Sequence, residues 1–145
     1  MKYPEILSNL IEDLKMLPGV GEKTAERYAF SLLEKTKEDR ESFITSVKNL
    51  DKLRKCSICN YITEDEICSI CSDKSRNNKI LCVVEDAKTV LLFEKMGTFK
   101  GQYHVLNGLI SPIDNIRPED LNIPTLIKRV IDGGHTEVIL AIKST

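Results

Sequence analysis

Apolar residues near the start of the chain recur at three- and four-residue spacing: Ile6, Leu7, Leu10, Ile11, Leu14 and Leu17. That period predicts a helix, and Pro4 suits its first turn. Pro18-Gly19-Val20-Gly21 breaks it, and Ala25, Tyr28, Ala29, Leu32 and Leu33 begin a second stripe. A third helix is predicted from about Lys37 to Leu53, with Thr36 as N-cap and Phe43, Ile44, Val47 and Leu50 on its inner face. Three such helices would make a compact bundle. The pattern then changes. Ile80-Leu81-Cys82-Val83-Val84 is a continuous apolar run of strand length, as expected for a strand buried on both faces of a parallel sheet. A helical stretch follows over Ala87–Met96, closed by Gly97, then a strand at Tyr103–Leu106. A helix at about Pro124–Asp132, ended by Gly133 and Gly134, and a final buried strand at Val138–Ile142 complete a β-α-β-α-β order.

Between these two patterns lies a segment with little apolar content beyond Ile58, Tyr61, Ile62, Ile67 and Ile70. It is too short to fold on a hydrophobic core. It does hold Cys56, Cys59, Cys68 and Cys71, a C-x2-C-x8-C-x2-C array in which CSIC occurs twice. Two thiolates two residues apart grip one face of a Zn²⁺ ion. A second pair completes the tetrahedron and leaves no open position, which suits one structural zinc per chain. The same spacing would also serve two disulfides or four unrelated buried thiols. The start MKYPEILSN has no apolar signal segment, so a reducing cytosol is expected and zinc is the favoured reading. The domains predicted are therefore 1–53, helical; 54–76, a four-cysteine zinc finger; and 77–145, a partial α/β domain. The fold class is α+β and multi-module.

Charge narrows the picture little. Of the 145 residues, 41% are hydrophobic and 30% charged, with a formal net charge of −1. A nucleic-acid partner would have to be met by a local patch. No run of 18 apolar residues exists, so no membrane helix is expected.

The local patch is sought at the helix–PGVG–helix turn. Gly19 and Gly21 can adopt positive φ and let a foreign backbone approach. The second helix begins near Gly21, so its free N–H groups and positive dipole end form an anion site that Lys23 and Arg27 would extend. The bland alternative is a plain corner with solvated charges. A second basic group, Lys48, Lys52, Arg54 and Lys55, is equally well read as a solvated face or as a further phosphate contact. Cys82 reads as a small core hydrophobe. A partly buried structural role is expected of His104, and solvation of His135. Glu85 and Asp86 would cap the helix at Ala87 or meet a partner.

The stretches LPGVGEKTAERYAFSLL, the four-cysteine motif, ILCVVED, GQYHVLNGLISP and TEVILA, in that order, resemble the RecR family of bacterial recombination mediators. The resemblance implies a helix-hairpin-helix DNA-binding domain, a zinc finger and a Toprim domain. It also implies a cytoplasmic, nucleoid-associated role in recombinational repair, with RecO and RecF as partners, helping to load recombinase onto single-stranded DNA. Family members form ring-like clamps and run on for some tens of residues past Thr145. The absent residues weigh against an intact tetrameric clamp and leave a dimer through the N-terminal helices as the expected assembly. Catalytic Toprim enzymes hold Mg²⁺ with a glutamate after the first strand and Asp-x-Asp after the third. Glu85 occupies the first position, but Lys143-Ser144-Thr145 follows the third strand. A non-enzymatic DNA-binding mediator with sequence-independent phosphate contacts is therefore expected. Two alternatives remain: a Toprim-type metal-dependent nuclease, or a zinc-stapled adaptor that binds only proteins.

Overall fold

The computed structural model describes residues 3–143. Ser144 and Thr145, two of the three residues weighed against a second acidic motif, lie outside them. The chain forms two compact units that divide between Asp51 and Lys52.

In the first unit, α1 (Glu5–Lys15) and α2 (Glu22–Glu34) form a hairpin. Ile11, Ala25 and Ala29 are its buried centre, with Leu7, Leu10, Leu14 and Val20 packed around them. The two alanines let the helices approach closely, and Ile11 fills the contact. Helix α3 (Lys37–Lys48) starts as predicted, with Thr36 Oγ1 accepting from the Asp39 amide at 3.1 Å. Its last residues tighten into a 3-10 turn over Asn49–Lys52. Arg40 ties it to α2, its guanidinium donating to the carbonyls of Leu32, Leu33 and Lys35. These are the orphan acceptors of a helix end.

The three predicted helices form, but the inner face expected of α3 is not buried. Phe43 and Val47 are each 54% exposed, Ile44 and Leu50 are exposed too, and α3 buries no residue. The apolar stripe is real, but the described residues of the first unit cover it only in part.

In the second unit, β1 (Arg54–Lys55) and β2 (Ile62–Thr63) form a small antiparallel pair, followed by the short α4 (Ser69–Ser72). Then come β3 (Ile80–Val84), α5 (Ala87–Met96), β4 (Gln102–Val105), α6 (Ile123–Gly133) and β5 (Glu137–Ala141). The three long strands are parallel in the order β4-β3-β5, with Cys82 opposite Tyr103 on one side and Ile139 on the other. Cys82, Val84, Val90, Tyr103 and Val105 are the core, and Cys82 is an internal hydrophobe whose thiol pKa is raised by burial. Asp86 caps α5 through the Thr89 amide at 2.9 Å, and Gly97 ends it at φ +71°.

Strands β3 and β4 are both buried after their first residue. The last strand departs from expectation: β5 is an edge, and Leu140 is 66% exposed. An apolar run marks a strand that could be buried on both faces, but burial depends on neighbours that periodicity does not reveal.

Candidate metal centre and nucleic-acid interface

The first CSIC turn follows β1. Cys56 N donates to Tyr61 O at 2.7 Å and Asn60 N to Cys56 O at 2.9 Å, folding the chain into a tight loop. Asn60 stands at φ +67°, a left-handed conformation that asparagine tolerates well. The second CSIC enters α4, with Cys68 as its N-cap. These two turns bring the four sulfurs within 4.8 Å of one another, the only such cluster of possible metal ligands among the described residues.

Zinc–sulfur bonds of about 2.3 Å in a tetrahedron require sulfurs about 3.8 Å apart. Cys59 Sγ and Cys68 Sγ are 3.6 Å apart, which fits a shared ion and is far beyond a disulfide bond. All five cysteines are free thiols. The backbone completes the arrangement. Cys56 Sγ accepts from the Cys68 amide at 3.3 Å, Cys59 Sγ from Tyr61 at 3.4 Å, and Cys68 Sγ from Cys71 at 3.4 Å. Amide donors aimed at sulfur favour thiolates, the form that binds metal. Without a cation, the thiols compete for protons. Sharing a proton with Cys68 holds Cys59 above its ordinary value, contact with Cys59 and Cys68 does the same to Cys71, and Cys68 is lowered as their acceptor. The donor set fits zinc.

The finger is no free-standing module. Val105, at the end of β4, donates its amide to Cys59 O at 2.8 Å, and Tyr61 and Ile70 pack both on the cysteines and on the sheet core.

Behind β4 lies a polar group around His104 whose centre, Arg129, sequence reasoning did not single out. Arg129 of α6 donates to Tyr103 O, to His104 Nδ1 at 3.2 Å and to Gln102 Oε1. Burial lowers the Arg129 guanidinium's pKa, while the charge of the four cysteines supports the cation. His104 is fully buried, and its Nε2 donates to Asn122 O at 2.9 Å. His135, expected to be solvated, is half-buried and bonded to Gln102 at 3.3 Å, because the turn after Gly134 folds it back toward β4. A signal was present in the sequence: Arg129 falls with Leu126 and Val130 at apolar spacing, an unusual place for a guanidinium. A second cluster was also missed. Arg76 forms a bidentate pair with Glu94 at 2.9 Å, and the Tyr103 hydroxyl donates to the same carboxylate.

In the first unit, the α1–α2 turn holds the residues of the predicted anion site. Gly19 adopts φ +80°, as expected. Gly21 does not: it stands at φ −91° as the N-cap of α2, where an extended backbone opens the helix, and it offers no side-chain cap. A Cβ at either glycine would meet nothing within 4 Å, so the approach to the helix start is open. The first intrahelical bond is Ala25 N to Gly21 O at 2.9 Å, leaving the earlier amides of α2 without an intrahelical acceptor. Lys23 and Arg27 are exposed on one face of α2 and make no ion pair among the described residues. The neighbouring acid Glu22 is paired with Lys15 at 2.8 Å. Lys48, Lys52, Arg54 and Lys55 are all exposed.

Glu85 follows β3 and is half-buried, beside a depression lined by Leu109, Ile110, Pro112, Ile113 and Ile116. Among the described residues no helix is long and apolar enough to cross a membrane.

Three family models match successive stretches: a RecR helix-hairpin-helix over residues 7–49, a RecR four-cysteine zinc finger domain over 53–73 and a Toprim domain over 79–145. Recombination protein RecR of Staphylococcus haemolyticus strain JCSC1435 is 49% identical over 143 residues, 98% of this chain and 72% of the relative. RecR of Staphylococcus aureus strain Newman is 48% identical over the same span. With a hairpin, a four-thiol cluster and a parallel sheet in the same order as these matches, the chain belongs to the RecR family of recombination proteins.

Proposed function

We propose that this protein is a DNA-binding mediator of recombinational repair and not an enzyme. Its helix-hairpin-helix (1–53) would grip DNA backbones, its zinc finger (54–76) would stabilise the sheet, and its Toprim unit (77–145) would meet protein partners. The observation that carries this reading is the open start of α2, where uncapped amides adjoin the unpaired Lys23 and Arg27. Gly19 and Gly21 leave room for a phosphate there, and no base-reading set of side chains accompanies them, so contact would be sequence-independent. Cys56, Cys59, Cys68 and Cys71 would hold one Zn²⁺, which supplies structural cross-linking and no reaction chemistry.

Against catalysis stands the charge at the strand ends. Glu85 follows β3, and the described residue after the neighbouring β5 with a charge is Lys143. A cation beside one carboxylate opposes Mg²⁺. Glu85 and the adjoining apolar depression, with Ile113 97% exposed, instead suit a protein partner, RecO or RecF by family. The exposed stripe on α3 supports a homodimer through the N-terminal helices, in a cytoplasmic, nucleoid-associated protein.

The test is salt-dependent DNA binding by the Lys23→Ala/Arg27→Ala double variant. Weakened affinity across unrelated sequences, with a shallower slope against log salt, is the expected result. Unchanged affinity would remove the hairpin as the DNA site.

A further inference from the structure

The face of α2 that carries Lys23 and Arg27 continues past them to Phe30, which is 41% exposed. An aromatic ring so placed has no role in the hairpin core of Ile11, Ala25 and Ala29. Its ring contact among the described residues is an edge approach by Tyr3, with centroids 6.1 Å apart at 67°, which braces it. Lys23, Glu26, Arg27, Phe30, Ser31 and Glu34 line one open depression of about 550 Å³.

The groups along this depression are ordered. Lys23 and Arg27 are about 6 Å apart along the helix axis, and Phe30 lies about 4.5 Å further on. The cationic end suits phosphates. The Phe30 end is flanked by Glu26 and Glu34, which would repel a phosphate but accept hydrogen bonds from the N–H edge of an unpaired base, the ring N3–H of thymine included. A base in a duplex is stacked on both faces and cannot lie flat on a side chain; an unpaired base can.

We propose that Phe30 is a stacking platform for an unpaired nucleobase, with Lys23 and Arg27 holding the adjoining phosphates of the same strand. This rests on the hairpin reading above and narrows its ligand to a single strand, or to the unpaired end of a gapped duplex.

The sequence contains no tryptophan, so Phe30→Trp in the full chain introduces a single indole reporter. Titration with oligothymidine is expected to quench its fluorescence, and a blunt duplex of equal length is expected to leave it unchanged. Phe30→Leu, which keeps apolar bulk and removes the π face, is expected to weaken single-strand binding about 10-fold and spare duplex binding. Single-strand binding by Phe30→Trp without quenching would overturn the platform. So would Phe30→Leu affinities that match the parent, or that fall equally on both DNAs. The two readings separate cleanly: loss of binding in Lys23→Ala/Arg27→Ala with no effect of Phe30→Leu keeps the hairpin site and rejects the stacking. A parent chain that binds neither DNA rejects both.

Discussion

Arg129 donates to Nδ1 of His104 at 3.2 Å, and this contact fixes the imidazole as its neutral Nε2–H tautomer. The other nitrogen must then carry the proton that reaches Asn122 O. Burial first, and the Arg129 charge after it, hold the His104 pKa below its usual value. The folded state therefore favours neutral His104, whereas the unfolded chain takes up a proton near its ordinary pKa. The stability this contributes is complete above about pH 6.5 and drains away as pH falls through the folded value. His135, also lowered by burial and Arg129, acts in the same direction.

Thermal unfolding followed between about pH 7.5 and pH 5.5 should show a falling midpoint for the second unit. In His104→Gln the slope should flatten, because glutamine does not titrate. The acid sensitivity of the thiolates is common to both proteins and cancels in the comparison. Equal slopes would show that His104 is not the titrating group.

Arg129→Met should have two effects. It leaves Tyr103 O and His104 Nδ1 without their buried donor, a loss of about 2–3 kcal/mol in stability. It also removes the cation that offsets four thiolates, so zinc retention measured by competition with a chromogenic chelator should weaken about 10-fold. A destabilised variant that holds zinc as tightly as the parent would confine Arg129 to the sheet.

The two turn glycines should separate stability from binding. Gly19→Ala forces a side chain into φ +80° and should cost about 1 kcal/mol, with no clash to add to it. Gly21→Ala sits in ordinary extended backbone and should leave the melting temperature nearly unchanged. It should nonetheless weaken DNA binding, because its methyl stands where a phosphate would approach. Equal DNA affinity for Gly21→Ala and the parent would argue that no backbone comes close at this point.

Incubation of supercoiled plasmid with pure protein and Mg²⁺ or Mn²⁺ should yield no nicked product. A nicking activity abolished by Glu85→Gln would instead favour the nuclease alternative.

Much of this architecture is legible in residue order. The breaks at Pro18–Gly21, Gly97 and Gly133–Gly134 are written in conformational preference, and the doubled CSIC marks the four cysteines that the fold gathers within 4.8 Å. Apolar stripes are more ambiguous. The centre of the α1 and α2 stripe closes around Ile11, whereas its outlying Ile6, Leu17 and Leu33, like Phe43 and Val47 of α3 and Leu140 of β5, stay exposed. Periodicity reports which face wants cover and nothing about what supplies it. Long-range polar contacts such as Arg129 to His104 span 25 residues and are set by how α6 crosses β4, which local sequence does not encode.

The Val105–Cys59 hydrogen bond gives the sheet unequal borders. On the β4 side the metal finger occupies the rim and takes up the amide that a new strand would need. On the β5 side the main chain is unclaimed among the described residues. Lateral growth of this sheet is thus one-directional: a strand from elsewhere could be added beside β5, while the finger, through the Cys59 carbonyl, works as a stop against edge-to-edge pairing at the other rim.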